Sequence, residues 1–143
     1  MPLLNERDQA AIRTEFEKLA GPVKLVVFSQ ELEAAELCRQ NEELVRDVAA
    51  LAPDAITVEV LNPAIDRDRA TGYGIERVPA IVVEGARDYG IRFLGIPAGY
   101  EFANLIDSII VASSGTAALT EETQRALADL GSDVDIKVFS TPT

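Results

Sequence analysis

Cys38 is the only cysteine in this 143-residue chain, and histidine is absent. Histidine-based catalysis and histidine-ligated zinc are therefore excluded. One thiol cannot close an intramolecular disulfide, so redox chemistry in the chain has to run through a single sulfur. Thiol–disulfide exchange works best from a thiolate at the start of a helix, where free backbone N–H groups and the helix dipole stabilise the anion. A second thiol three residues on shares the helix face and resolves the mixed disulfide. The stretch Ala34-Ala35-Glu36-Leu37-Cys38 follows an apolar run and opens a helical pattern. Cys38 takes the second, more buried position of such a pair, and alanine stands at position 35, where the first sulfur would sit. Taken alone, Cys38 reads as a small hydrophobe in a core helix; its place in the first turn after the first strand brings the redox reading level with that one.

Glu31, Glu33 and Glu36 crowd the helix start and oppose another negative charge, with Arg39 a partial counterweight, so a weakly reactive thiol is expected. The second chemically suggestive feature is Val78-Pro79 ahead of the apolar residues 80–83. Proline cannot donate to a sheet ladder, so at a strand entrance it marks a special backbone site. A cis Val78-Pro79 bond would offer the Val78 backbone to an extended peptide, and an ordinary trans proline is the plain alternative. No glycine-rich phosphate loop follows the first strand, which sets nucleotide-binding domains aside. Neither a cofactor nor a metal is expected.

The elements that position these residues are legible in the periodicity. Asn5 caps a first helix carrying Ile12, Phe16 and Leu19, with Gly21-Pro22 as its stop. The β-branched run 23–28 predicts a buried central strand. A long amphipathic helix is expected from about Ala34 to Leu51, with Leu37, Leu44, Val45, Val48 and Leu51 inward. Residues 56–61 predict a second strand, followed by Asn62-Pro63 as a cap with proline at the first helical position, then a short charged helix to Tyr73-Gly74. Residues 80–83 and 89–94 predict an antiparallel hairpin, and 99–111 a last amphipathic helix. Strands separated by helices imply a parallel pair with right-handed crossovers. The expected fold class is α/β, a four-stranded mixed sheet flanked by helices, with one extra helix in front.

Composition narrows the classes of partner. Hydrophobic residues make up 48% and charged residues 26%, enough for one domain with a real core. The formal net charge of −11 repels phosphate backbones and anionic membranes, so neither nucleic acid nor membrane is expected as a partner. No apolar run approaches the roughly 20 residues that span a bilayer. Residues Met1 to Asp8 lack the basic-then-apolar pattern of a secretory signal, so a cytoplasmic address is the expectation.

The C-terminal region starts a repeat. Residues 120–130 predict a helix capped by Thr120, and Val134-Asp135-Ile136-Lys137-Val138-Phe139-Ser140 echoes Val23-Lys24-Leu25-Val26-Val27-Phe28-Ser29. Two unrelated amphipathic strands would look similar. The expected division is a unit over residues 1–116, closed by the small-residue linker Ser113-Ser114-Gly115-Thr116, and the helix and first strand of a truncated second unit over 117–143. A lone last strand should dock on a sheet edge of its own molecule or a neighbour.

Three stretches together carry a family resemblance: Tyr73-Gly74-Ile75 followed by Pro79, then Gly95-Ile96-Pro97-Ala98-Gly99-Tyr100-Glu101-Phe102, and last Phe139-Ser140-Thr141-Pro142-Thr143. From about Glu15 to Thr143 the chain resembles the N-terminal unit of the glutaredoxin-like protein disulfide oxidoreductases, in which two thioredoxin-fold units share one chain. The resemblance implies that Ala35 replaces the nucleophilic cysteine and that Cys38 is the resolving position. It implies too that Pro79 is the cis-proline, with Val78 beside it as a substrate-binding residue. A CxxC pair follows the Phe-x-Thr-Pro-Thr motif in that family. The implied activity is thiol–disulfide exchange on protein thiols and disulfides, impaired here by the missing sulfur. A redox-inactive thioredoxin-fold module for partner docking or structural support is the other reading. A second thioredoxin-fold unit, or another copy engaged through the C-terminal strand, completes the expected partners.

Overall fold

The computed structural model describes residues 3–141. Asn5 opens α1 (Glu6–Phe16) by accepting the Asp8 backbone N–H at 2.9 Å, which satisfies one of the free donors of the first turn. The next elements are β1 (Val23–Phe28), α2 (Ala35–Ala49), β2 (Ile56–Leu61), α3 (Arg67–Tyr73), β3 (Ala80–Glu84) and β4 (Asp88–Leu94). A 3-10 turn over Gly99–Glu101 leads into α4 (Phe102–Ser114), and α5 (Glu121–Ala128) follows a linker.

The sheet order is β2-β1-β3-β4. β1 runs parallel to β2, Val23 opposite Ile56 and Phe28 opposite Leu61, and antiparallel to β3, Phe28 opposite Ala80. The β3–β4 hairpin is antiparallel with a bulge at Val83/Glu84. Strand alternation divides β1 between two cores. Val23, Leu25 and Val27 pack with Ile81 and Val83 under α1, α2 and α4, while Val26 and Phe28 pack with Leu61, Val82, Ala70 and Ile75 on the α3 side. This is the expected four-stranded mixed sheet flanked by helices, with α1 as the extra leading element.

Several sequence expectations shift in detail. α1 ends at Phe16, before Gly21-Pro22, and Leu19 still packs against the core from the connecting turn. Leu37 is half exposed, because the buried stripe of α2 runs through Cys38, Asn41, Val45 and Val48 and Leu37 lies one position to its side. Pro63 is not the first residue of α3: the Asn62 side chain accepts the Ala64 N–H at 2.9 Å, forming a turn that delays the helix to Arg67.

The largest difference lies at the C-terminus. α5 forms with Thr120 as its cap, but residues 134–140 belong to no strand and are exposed, Ile136 at 80% and Phe139 at 91%. They dock on neither edge of their own sheet. A strand is stabilised by the ladder it joins, so an amphipathic pattern without a partner stays irregular. Pro142 and Thr143 of the C-terminal motif lie outside the described residues.

Gly85, in the hairpin turn, allows the close approach of β3–β4 to α4. A Cβ at this position would sit 1.8 Å from the Ala112 carbonyl oxygen. Gly85→Ala must push the hairpin or the end of α4 aside, and about 2 kcal/mol of destabilisation is expected. Thermal or urea unfolding reads it directly, and an unchanged midpoint would refute the packing argument.

Candidate functional site

The site is assembled at one end of the sheet, where β1 stops and β3 starts. Ser29 ends the central strand by donating its N–H to the Leu61 carbonyl at 2.9 Å, and the following loop leads into α2. Ala34 precedes the helix in the left-handed region (φ 51°, ψ 35°) and offers no side-chain cap. Ala35 is the first helical residue and is exposed, while Cys38, one turn in, is 1% exposed. Cys38 donates its N–H to the Ala34 carbonyl at 2.9 Å, and its S–H reaches the Glu33 carbonyl at 3.9 Å. The structure thus places an accessible methyl and a buried sulfur at the two positions singled out in the sequence.

The charges around this helix start are mutually paired. Arg39 forms an ion pair with Glu36 at 2.5 Å and a longer one with Glu43 at 3.5 Å. Arg39, together with Gln40, holds the Glu36 carboxyl below the usual carboxylate range. Beside Ala35 a cleft of about 680 Å³ opens between the end of β1, the end of β2 and the first turns of α2. Its walls include Ser29, Gln30, Leu32, Leu61 and Asn62. Among the described residues no group of three His, Cys, Asp or Glu side chains is arranged to hold a metal ion.

The Val78–Pro79 peptide bond is cis. Pro79 is buried, and it stands one residue before the β1–β3 ladder begins at Ala80 opposite Phe28. Its carbonyl accepts the Gly95 N–H at 2.9 Å, while Val78, partly exposed, precedes the ladder. Val78 and Pro79 therefore share the sheet end with the α2 start, on the β3 side of β1, whereas the cleft lies on its β2 side.

Three features here were not read from the sequence. Arg92 forks both guanidinium N–H groups onto Asp88 at 2.8 and 2.7 Å and donates Nε–H to the Tyr73 carbonyl at 3.0 Å, tying β4 to the segment that leads to Pro79. Its guanidinium also lies 5.5 Å from the Tyr73 ring centre, and Tyr73 meets Phe28 edge-on at 6.0 Å. The Asp88–Arg92 spacing gave no warning, since the link from β4 to Tyr73 is tertiary. The left-handed Ala34 also carried no signal, because alanine seldom adopts that conformation. Asn41 is buried on the α2 stripe, and its spacing of three from Cys38 was the available clue.

No protein-family model matches the chain. A probable thioredoxin of Methanothermobacter marburgensis is 32% identical over 88 residues, covering 62% of this chain and 96% of that protein. The thioredoxin of Methanocaldococcus jannaschii is 33% identical over 75 residues, covering 52% and 81%. Among solved structures, the alkylhydroperoxide reductase AhpF of Enterococcus faecalis superposes with a TM-score of 0.79 at 26% identity, over 89% of this chain and 61% of that one. A protein disulfide oxidoreductase of Aeropyrum pernix gives 0.75 at 25% identity, over 88% and 55%. The present chain thus spans little more than half of these two neighbours. Sheet order, cis-proline and helix start define a thioredoxin-fold protein of the disulfide oxidoreductase kind. The chain belongs to the thioredoxin family.

Two predictions follow from this geometry. Ala34→Gly removes the left-handed strain and should stabilise the fold by about 1 kcal/mol, seen as a higher unfolding midpoint. A lower midpoint would show that the Ala34 methyl supports the loop. Arg92 lowers the Asp88 carboxyl to about 2. The folded value lies below the unfolded one of roughly 3.9, so this stabilisation is complete above about pH 4 and fades as pH falls toward 2. Asp88→Asn should cost about 1 kcal/mol at neutral pH, after allowance for solvent screening, and flatten the acid limb of the stability curve. Equal acid limbs in the two proteins would disprove the linkage.

Proposed function

We propose that residues 1–116 form a thiol–disulfide oxidoreductase unit of the protein disulfide oxidoreductase type, acting on protein disulfides and impaired because Ala35 replaces the nucleophilic cysteine. One observation carries this reading: an exposed first helical residue and a buried cysteine one turn later share a sheet end with a cis-proline. In the intact reaction, a thiolate at position 35 attacks a substrate disulfide, forms a mixed disulfide and releases one substrate thiolate. Cys38 then attacks the sulfur at position 35 and releases the second, so two electrons pass from the dithiol to the substrate. An external reductant restores the dithiol. In the present chain the first bond cannot form, and the lone sulfur has little access to a protein disulfide.

That same burial supports a second reading, a redox-inactive module that docks a partner or supports another unit. Residues 117–143 are proposed as the helix and first strand of a second thioredoxin-fold unit, the strand ordering only where the rest of that unit's sheet pairs with it. The echo of β1 supports this, as do the exposed apolar side chains of Val134, Ile136, Val138 and Phe139. Protein thiols and disulfides, a second unit or another copy are the proposed partners, in a cytoplasmic setting. No helix among the described residues is long and apolar enough to cross a membrane.

Insulin reduction driven by dithiothreitol discriminates between the two readings. Ala35→Cys should raise the catalysed rate about tenfold or more above the parent, because it supplies the first sulfur within reach of Cys38. A folded Ala35→Cys protein with no gain would sink the oxidoreductase reading and leave the docking module.

A further inference from the structure

Asn41 is fully buried, yet neither its Oδ1 nor its Nδ2 has a hydrogen-bond partner among the described residues. A buried polar group without a partner is destabilising, whereas a leucine would fill a similar volume at no such cost. Asn41 lies three residues beyond Cys38 on the same buried stripe of α2, which puts the two Cβ atoms about 5–6 Å apart. Among the described residues the sulfur has one hydrogen bond, the S–H to the Glu33 carbonyl at 3.9 Å. That contact serves the thiol but not the thiolate, because a carbonyl oxygen repels an anion. A thiolate needs a donor, and the Cys38 N–H is already committed to the Ala34 carbonyl.

The charged groups around α2 do not fill that role. Glu36 and Arg39 on the helix pair with each other at the surface, and Glu31 and Glu33 in the preceding loop are exposed. On the strands, Lys24 pairs with Glu59, Glu59 also with Arg69 of α3, and Glu84 acts on the Tyr73 phenol, all on the opposite face of the sheet. Asp88 and Arg92 of β4 are joined to each other, and Asp107 of α4 is exposed.

We propose that Asn41 is a positioning residue for the Cys38 sulfur, its Nδ2–H swinging to donate to the thiolate once the thiol proton has passed to solvent base. This rests on the thiol-redox reading of the Cys38 site. The carboxamide remains unpaired while the thiol is protonated, and the buried amide is matched to the anionic state of its neighbour.

The test is the pH dependence of Cys38 alkylation by iodoacetamide in the full chain, where an S–C bond forms as iodide leaves, followed by mass spectrometry. Asn41→Leu and Asn41→Ala are compared with the parent, and any variant that folds is informative. The half-maximal pH should rise by about one unit in both, the size expected for a lost hydrogen bond to an anion. Asn41→Leu should also melt no lower than the parent. A purely structural role would alter the melting temperature and leave the pH profile in place; an unmoved or lowered half-maximal pH in a folded variant would overturn the proposal. Insulin reduction by Ala35→Cys is a separate measurement, so failure of the oxidoreductase reading and failure of the Asn41 role are told apart.

Discussion

The structure depends on the burial of β1 from both faces and along both edges. Leu25, Val26, Val27 and Phe28 are all 0% exposed, and β2 and β3 complete the strand's hydrogen bonding on either side. Each fully buried aliphatic or aromatic side chain contributes about 1.5–3 kcal/mol, and every one of these is shared between the sheet and a covering helix. Because consecutive residues point to opposite faces, one strand holds α2 and α4 on one side and α3 on the other. The end of that strand then fixes the site. Phe28 is the last paired residue, so α2 must begin beyond it and Pro79 must arrive beside it.

This dependence explains how much was legible. A strand buried on both faces reads as a continuous apolar run, so β1 was visible with its boundaries, and the alternation of helices and strands then restricted the topology. The cis-proline segment and the α2 start were visible for the same reason, since both adjoin β1. What escaped depends on contacts remote in sequence or on unusual backbone. The fork of Arg92 onto Asp88 and the Tyr73 carbonyl spans β4 and the end of α3. Asn62 accepting the Ala64 N–H shifted the start of α3 through a local turn that a cap-and-proline pattern imitates. The last stretch, 134–140, has the pattern of a strand but no pairing edge in this chain, and it stays irregular.

Electrostatics at the site are arranged by pairing rather than by an unopposed field. Arg39 is taken up by Glu36 and Glu43, and the acidic loop residues stay in solvent. The chain carries a net charge of −11, and its helix start offers an anion no free cationic side chain within the first turn. What remains to stabilise a thiolate is short-range: backbone N–H groups of the opening turn, and side-chain donors close enough to touch sulfur. Such groups act on one atom at a time, so their effect depends on which residue sits at which helical position.

That dependence separates positions 35 and 38. Ala35 is exposed at the first turn, where neither the core nor the helix requires a particular side chain, so a methyl or a thiol there leaves the packing unaltered. Cys38 and Asn41 lie on the buried stripe, where every atom is in contact and an unpaired amide is costly. A frame of this kind tolerates different small side chains at position 35 without losing its stability. Asn41, three residues beyond Cys38 on that stripe, is the residue that packing alone does not account for.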